Sequence, residues 1–513
     1  MTSWRSAESA QAEDGTKEGE APDVPFRPEE RLYPTAADFY RTQPAIDRRI
    51  HIMGVGNVGS FIAHSLRGLA NPPPVTLIFS RRDKYNEWNE SSQRLTLVTD
   101  SDAEFREGFD AEIATPRIRY HGKEVGLSSD APVPPEGKST LEREPEKLLE
   151  GESAGPIRSL IICSKAPFVL QGISSVKHRL DKDSVILFLQ NGMGTAEEVT
   201  KEIFPDPATR PHYMLGINSH GVNNASGLPF TATHAGFGTI SLGILPHERD
   251  RNPASPYAPA EKFMAHTFTG PQQPAIDDLN PEYPPPTPAG TTWTPNQRYL
   301  LRTLLRTPVL GATSFSPPDL LQMQLEKLAA NCIINPLTVL LDARNGAILY
   351  NYALTRMMRL LLAEISLVIR SLPELQYIPN VSSRFDPGRL ETQVVAIADR
   401  TKNNVSSMLM DARAGKITEI EYINGWVVRR GEELGIKCVS NYLLMQMVKG
   451  KGGMIAREIG EGVSILGEDM WLGIERGVGS VDIREVVAER REEEIGGDGG
   501  GEKVGGKEGD KQK

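Results

Sequence analysis

From residue 49 onward the chain alternates short apolar runs with amphipathic stretches. Arg49-Ile-His-Ile-Met53, Val75-Thr-Leu-Ile-Phe79, Ser159-Leu-Ile-Ile-Cys163 and Ser184-Val-Ile-Leu-Phe-Leu189 are short, apolar and rich in β-branched residues. Runs of this kind predict strands of a parallel sheet covered on both faces. A helical segment from Ser60 to Leu69 joins the first two, which gives the strand–helix–strand order of a doubly wound sheet. Ile240-Ser-Leu-Gly-Ile244 predicts a later strand that closes this half. From Asn296 to about residue 448 the pattern becomes long amphipathic helical runs with little strand character. The expected fold class is therefore α/β: a doubly wound domain at 48–245 followed by an all-α domain at 296–450.

Composition accounts for the remainder. Residues 1–47 are polar and acidic (Glu8, Glu13, Asp14, Glu18, Glu20) and read as a disordered extension, with weak structure allowed near Ala36-Ala-Asp-Phe-Tyr40. Residues 120–156, rich in Pro, Gly, Glu and Lys, predict an exposed insertion. A second insertion, 246–295, holds 12 prolines, which exclude regular helix or strand over most of it. Residues 451–513 read as a C-terminal extension, disordered from about Glu489, where Gly, Glu and Lys dominate. With 39% hydrophobic and 24% charged residues, the chain is expected to be soluble and globular between these additions. No apolar run reaches about 18 residues, so no membrane span is expected. The net charge of -10 argues against nucleic acid as a partner. The first residues fit neither a secretory signal nor an Arg-rich transit peptide, so a cytoplasmic location is expected, with the mitochondrion as the alternative. Cys163, Cys332 and Cys438 are far apart and odd in number, which predicts reduced buried thiols and no metal site.

Directly after the first strand comes the turn Gly54, Val55, Gly56, Asn57, Val58, Gly59. Strand before and helix after are the context a G-x-G-x-x-G turn needs to bind a dinucleotide, with the pyrophosphate at the helix N-terminus. The second strand ends in Ser80-Arg81-Arg82, where an enzyme for NAD tends to carry an acid. Two guanidiniums suit a 2′-phosphate, so NADPH is the expected cofactor, although Asp83 leaves the register open.

In the helical half one run stands out, Lys327-Leu-Ala-Ala-Asn331-Cys-Ile-Ile-Asn335-Pro336. On a helix, positions four apart form a polar stripe, which alone is as consistent with a solvated face as with a ligand cleft. Ser316-Pro-Pro-Asp319 predicts the N-terminus of that helix, about two turns before Lys327. Asn404, Ser407 and Asp411 are spaced to share a second helical face, and Thr418 with Glu421 predicts a capping box that puts Glu419 in the first turn of the next helix.

The glycine turn, Ser164-Lys165-Ala166, Leu189-Gln-Asn191-Gly-Met-Gly194, the run from Lys327, Asn404-Val-Ser-Ser407-Met and Thr418-Glu419-Ile-Glu-Tyr-Ile-Asn424-Gly425 occur in the order found in ketopantoate reductases (2-dehydropantoate 2-reductases). The chain resembles that family over about 49–245 and 296–450. The resemblance implies a Rossmann-like first domain and NADPH-dependent reduction of 2-dehydropantoate to pantoate, a step in pantothenate and coenzyme A supply. It makes Lys327 the general acid and Glu419 a partner that positions Lys327 or contacts the cofactor. It places Lys165, Asn191 and Gly221 against the cofactor, and Asn331, Asn335, Asn345, Asn404 and Ser407 around the substrate. Asp411 is expected to fix a neighbouring helix, and His220 is given no role. A reductase of another branched 2-oxo acid, or an inactive scaffold or regulatory protein, are the alternative readings. The oligomeric state is not legible in the sequence, with a homodimer as one candidate.

Overall fold

A computed structural model describes residues 46–459, less 101, 115–117, 121–122, 126–149, 225–227, 248–292 and 377. The N-terminal extension, most of both insertions and the C-terminal extension beyond 459 lie outside the described residues.

The apolar runs form the centre of an eight-stranded sheet. Across it the order is Thr313–Ser314, Ile240–Ile244, His212–Asn218, Val185–Phe188, Ser159–Ile162, Ile50–Met53, Val75–Phe79 and Phe109–Ile113. The six strands from His212–Asn218 to Phe109–Ile113 are parallel, and Ile240–Ile244 runs antiparallel to its neighbour. In chain order those six read 3-2-1-4-5-6, the doubly wound Rossmann arrangement, with its switch point between Ile50–Met53 and Ser159–Ile162. All residues of Ile50–Met53, Val75–Phe79, Ser159–Ile162 and Val185–Phe188 are buried, as strands covered on both faces must be. Separate apolar clusters fill the two faces, one around Phe61 and Leu66, the other around Ile173 and Val199.

A second sheet, Gly221–Asn224, Thr231–Gly236, Leu95–Thr99 and Asp102–Arg106, was not foreseen. Its strands alternate or are polar: Asp102–Arg106 is almost wholly exposed, so it carries no apolar signal.

The helical half is built on Pro317–Leu341. Ser316 caps it, accepting from the Asp319 amide at 3.4 Å, and two prolines occupy its first turn, where missing N–H groups cost nothing. Lys327 lies about three turns in rather than two, at 3.6 residues per turn. Pro336 lies inside the helix and supplies no amide to the Cys332 carbonyl. The side chain of Asn424, fully buried, fills that gap: its Nδ2 donates to Cys332 O at 3.0 Å and to Asn441 Oδ1 at 3.0 Å. The helices Tyr352–Arg370, Pro387–Arg400, Asn424–Glu433 and Val439–Ile459 pack around Pro317–Leu341 over one apolar core. No helix among the described residues is long and apolar enough to cross a membrane.

Candidate active site

The first strand ends at Met53 and the chain turns sharply. Gly54 has φ +92°, and a Cβ there would meet the Ser164 nitrogen at 2.3 Å. A Cβ on Gly59 would stand 2.1 Å from the Gly54 carbonyl oxygen. Both positions therefore require glycine, one for the turn and one for close helix packing. Gly56 differs, because nothing lies within 4 Å of where its Cβ would be. Open backbone beside the N-terminus of Asn57–Arg67 is what a pyrophosphate needs, so these residues fit a dinucleotide. Beyond Phe79, Arg81 and Arg82 are both exposed; Arg81 pairs with Asp83 at 2.7 Å and Arg82 donates to the Glu150 carbonyl at 2.8 Å.

Beside this crevice, a small cleft lies between the sheet half and the helical half. Lys327 and Asn331 form one wall, and Gln190, Asn191, Gly216 and Ile217 the other. The half-buried Lys327 donates through Nζ to Asn191 Oδ1 at 3.1 Å and to the Asn218 carbonyl at 2.8 Å. Asn191 Nδ2 in turn donates to Glu419 Oε2 at 3.1 Å, which fixes the orientation of the amide. Glu419 is buried, and its other oxygen accepts from the Ala166 amide at 3.2 Å. Asn191 thus bridges Lys327 and Glu419. Burial lowers the Lys327 pKa to about 8, against the opposing pull of Glu419. Burial raises the Glu419 pKa, opposed by Lys165, Asn191 and the Ala166 amide. An amine of that acidity, held by two acceptors in a cleft, can give a proton to an oxygen that gains negative charge.

The neighbouring acid Glu326 faces away. It accepts from Arg384 at 2.9 Å and from Arg389 at 2.9 Å, so it does not act on Lys327.

The other expected residues divide. Four positions overshoot a helical turn by about 40°, so the stripe drifts. Asn331 reaches the cleft, while Asn335 is buried and outside its lining. Asn345 is buried and donates to Thr401 Oγ1 at 3.0 Å, and its amide donates to the Asn404 carbonyl at 3.0 Å. Asn404 and Ser407 are exposed, and Asn404 precedes the helix Ser407–Arg413 instead of sharing its face. The cap of that helix is Ser406, whose hydroxyl accepts from Leu409 N and lies 2.7 Å from that of Thr338. Asp411 does not fix a neighbouring helix; it forms an ion pair with Lys165, across from the other half of the molecule. Thr418 makes no capping box: Glu419 enters a short turn, Ile420–Tyr422, and Glu421 pairs with Lys449 at 2.8 Å. Gly221 begins a strand of the second sheet beside Gly236, so the stretch from Gly216 meets the cleft at Gly216 and Ile217 instead.

Gln324 also lines the cleft and was not singled out. It lies three residues before Lys327, so the same-face spacing that marked Asn331 could have found it. The Asn218 carbonyl could not be found that way, because a backbone acceptor leaves no trace in side-chain patterns.

The family model described as ketopantoate reductase PanE/ApbA matches residues 50–247, and that of its C-terminal part matches 319–452. A probable 2-dehydropantoate 2-reductase of Schizosaccharomyces pombe is 24% identical over 412 residues, covering 80% of this chain and 98% of that protein. A ketoisovalerate reductase of Gibberella fujikuroi is 26% identical over 417 residues, covering 74% and 78%. Among solved structures, a PanE/ApbA family ketopantoate reductase from Ralstonia eutropha superposes with a TM-score of 0.51 at 18% identity, over 79% of this chain and 99% of that one. D-mandelate dehydrogenase with NADH gives a TM-score of 0.50 at 15% identity, over 79% and 99%, which is likeness of fold. With both halves matched, the chain belongs to the ketopantoate reductase PanE/ApbA family and is an oxidoreductase.

Proposed function

We propose that this protein reduces the ketone of 2-dehydropantoate to the alcohol of pantoate with NADPH. The reading rests above all on the Lys327 amine, held between Asn191 and the Asn218 carbonyl in a cleft next to a turn that fits a dinucleotide. When bound, the reduced nicotinamide supplies a hydride to the carbonyl carbon. Lys327 Nζ gives a proton to the ketone oxygen and meets its growing charge. Asn191, oriented by Glu419, keeps the amine on target. Asn331, one turn on, donates to the substrate's carboxylate or hydroxyl. Arg81 and Arg82 at the end of the second strand favour the 2′-phosphate of NADPH over the bare ribose of NADH.

A second reading, reduction of ketoisovalerate, is supported by the relative from Gibberella fujikuroi. The two substrates differ by a hydroxymethyl group, and a site that hydrogen-bonds its hydroxyl discriminates strongly against an analogue without one. Steady-state oxidation of NADPH and of NADH, each with 2-dehydropantoate and with ketoisovalerate, tests both points. Higher kcat/KM for 2-dehydropantoate with NADPH is expected. Cofactor oxidation that depends on neither acid would end the proposal.

A further inference from the structure

His220 sits where the chain leaves the main sheet for the second one. The strand His212–Asn218 ends at Asn218, and Gly221 opens the next strand. The carbonyl of Asn218 is the shorter of the two hydrogen bonds to Lys327. What fixes that corner fixes the direction of the carbonyl.

The imidazole of His220 is buried, and each nitrogen is engaged. Nε2 lies 2.9 Å from the Leu310 carbonyl, which can only accept, so Nε2 carries the proton. Nδ1 accepts from the Gly238 amide at 3.1 Å, so it is bare. The nearby Nε2 of His234, 3.0 Å from it, must therefore be the donor. Phe61, from the helix that follows the glycine turn, packs on both rings at 4.9 Å between centroids. The His220 amide donates to Asn218 Oδ1 at 3.1 Å, and the Ser219 amide donates to the Thr239 carbonyl at 2.9 Å. His220 therefore ties the corner to three separate segments in one tautomer.

We infer that His220 is a positioning residue for the reaction, acting through the Asn218 carbonyl on the Lys327 amine. The inference rests on the function proposed above. The carbonyl stabilises the ammonium form, so losing its aim makes Lys327 more acidic and moves the alkaline limb of kcat/KM to lower pH. The groups that act on the amine are Asn191, the Asn218 carbonyl and the charge of Glu419, and of these the carbonyl belongs to the corner that holds His220.

The test uses the full chain, wild type beside His220→Ala and His220→Gln, with the 2-oxo acid that the wild type turns over. Gln keeps an N–H for the Leu310 carbonyl. kcat and KM are measured against pH, and NADPH affinity by the change in its fluorescence on binding. In His220→Ala we expect kcat to fall by about tenfold or more, as misplacement of a catalytic group does. Its alkaline limb should shift to lower pH while NADPH binding holds, and His220→Gln should recover part of both. A limb that stays with the wild type in an active variant overturns the inference, as does NADPH affinity falling as far as kcat. If the Ala variant does not fold, the limb of the Gln variant decides alone: displaced, it supports the inference; unmoved, it overturns it. A wild type without turnover would sink the proposed function, whereas an unmoved limb in an active enzyme sinks this inference only.

Discussion

Lys327 owes its acidity to burial, which disfavours its charged amine, and its orientation to the two acceptors that hold that amine. Below a pKa of about 8 the amine is protonated and can act as an acid; above it the proton is gone. Activity should therefore be level through neutral pH and decline as pH rises through about 8, visible in kcat/KM of the free enzyme. Lys327→Ala should lower kcat by roughly 10²–10⁴-fold while NADPH still binds; unchanged turnover would remove Lys327 from the chemistry. That variant also separates an enzyme from a scaffold, which has no need of the amine. At this scale the sequence was partly legible. Lys327, Asn331 and Asn191 could be picked from their motifs and meet in one cleft. Asp411 could not be read correctly, because its partner Lys165 lies 246 positions away and nothing in local spacing reveals a contact across the molecule.

At the scale of elements, the strands seen in advance were those with continuous apolar runs, and each appears within a residue or two of its expected ends. Among the strands missed, Asp102–Arg106 is almost wholly exposed and His212–Asn218 begins with histidine and ends with asparagine, so neither is a continuous apolar run. The helix Pro317–Leu341 was foreseen from its cap, but not how it survives a proline. Asn424 is that device, a side chain that stands in for an absent amide. Asn424→Ala would leave the Cys332 carbonyl and Asn441 without this donor in a buried place, at a cost of about 1–3 kcal/mol. Urea unfolding should show a lower midpoint with an unchanged slope. An unchanged midpoint would mean that the proline gap needs no support. The motif Asn424-Gly425 thus serves the helix that carries Lys327, although neither residue lines the cleft.

Over the whole molecule, the two halves meet through backbone as well as through the side chains of the cleft. The Met193 amide donates to the Tyr422 carbonyl at 2.8 Å, and Gly192, with φ +82°, lies so close that a Cβ would stand 2.3 Å from that oxygen. Gly192→Ala combines a left-handed backbone with overpacking, so a loss of roughly 2–4 kcal/mol is expected, with turnover falling as the cleft is forced apart. Thermal unfolding and kcat on the same preparation check this; a variant with wild-type melting and turnover would show that the halves have slack.

The seating of the Lys327 amine has a consequence for anyone who recombines these proteins. Its two acceptors come from the sheet half, while the lysine comes from the helical half. A chimera that joins the sheet half of one relative to the helical half of another exchanges the surroundings of the Lys327 amine along with one wall of the cleft. On the proposed function, substrate preference and proton donation would then not be inherited separately, and the natural unit of exchange would include the 190–194 turn and the 216–221 corner together with the helix they hold.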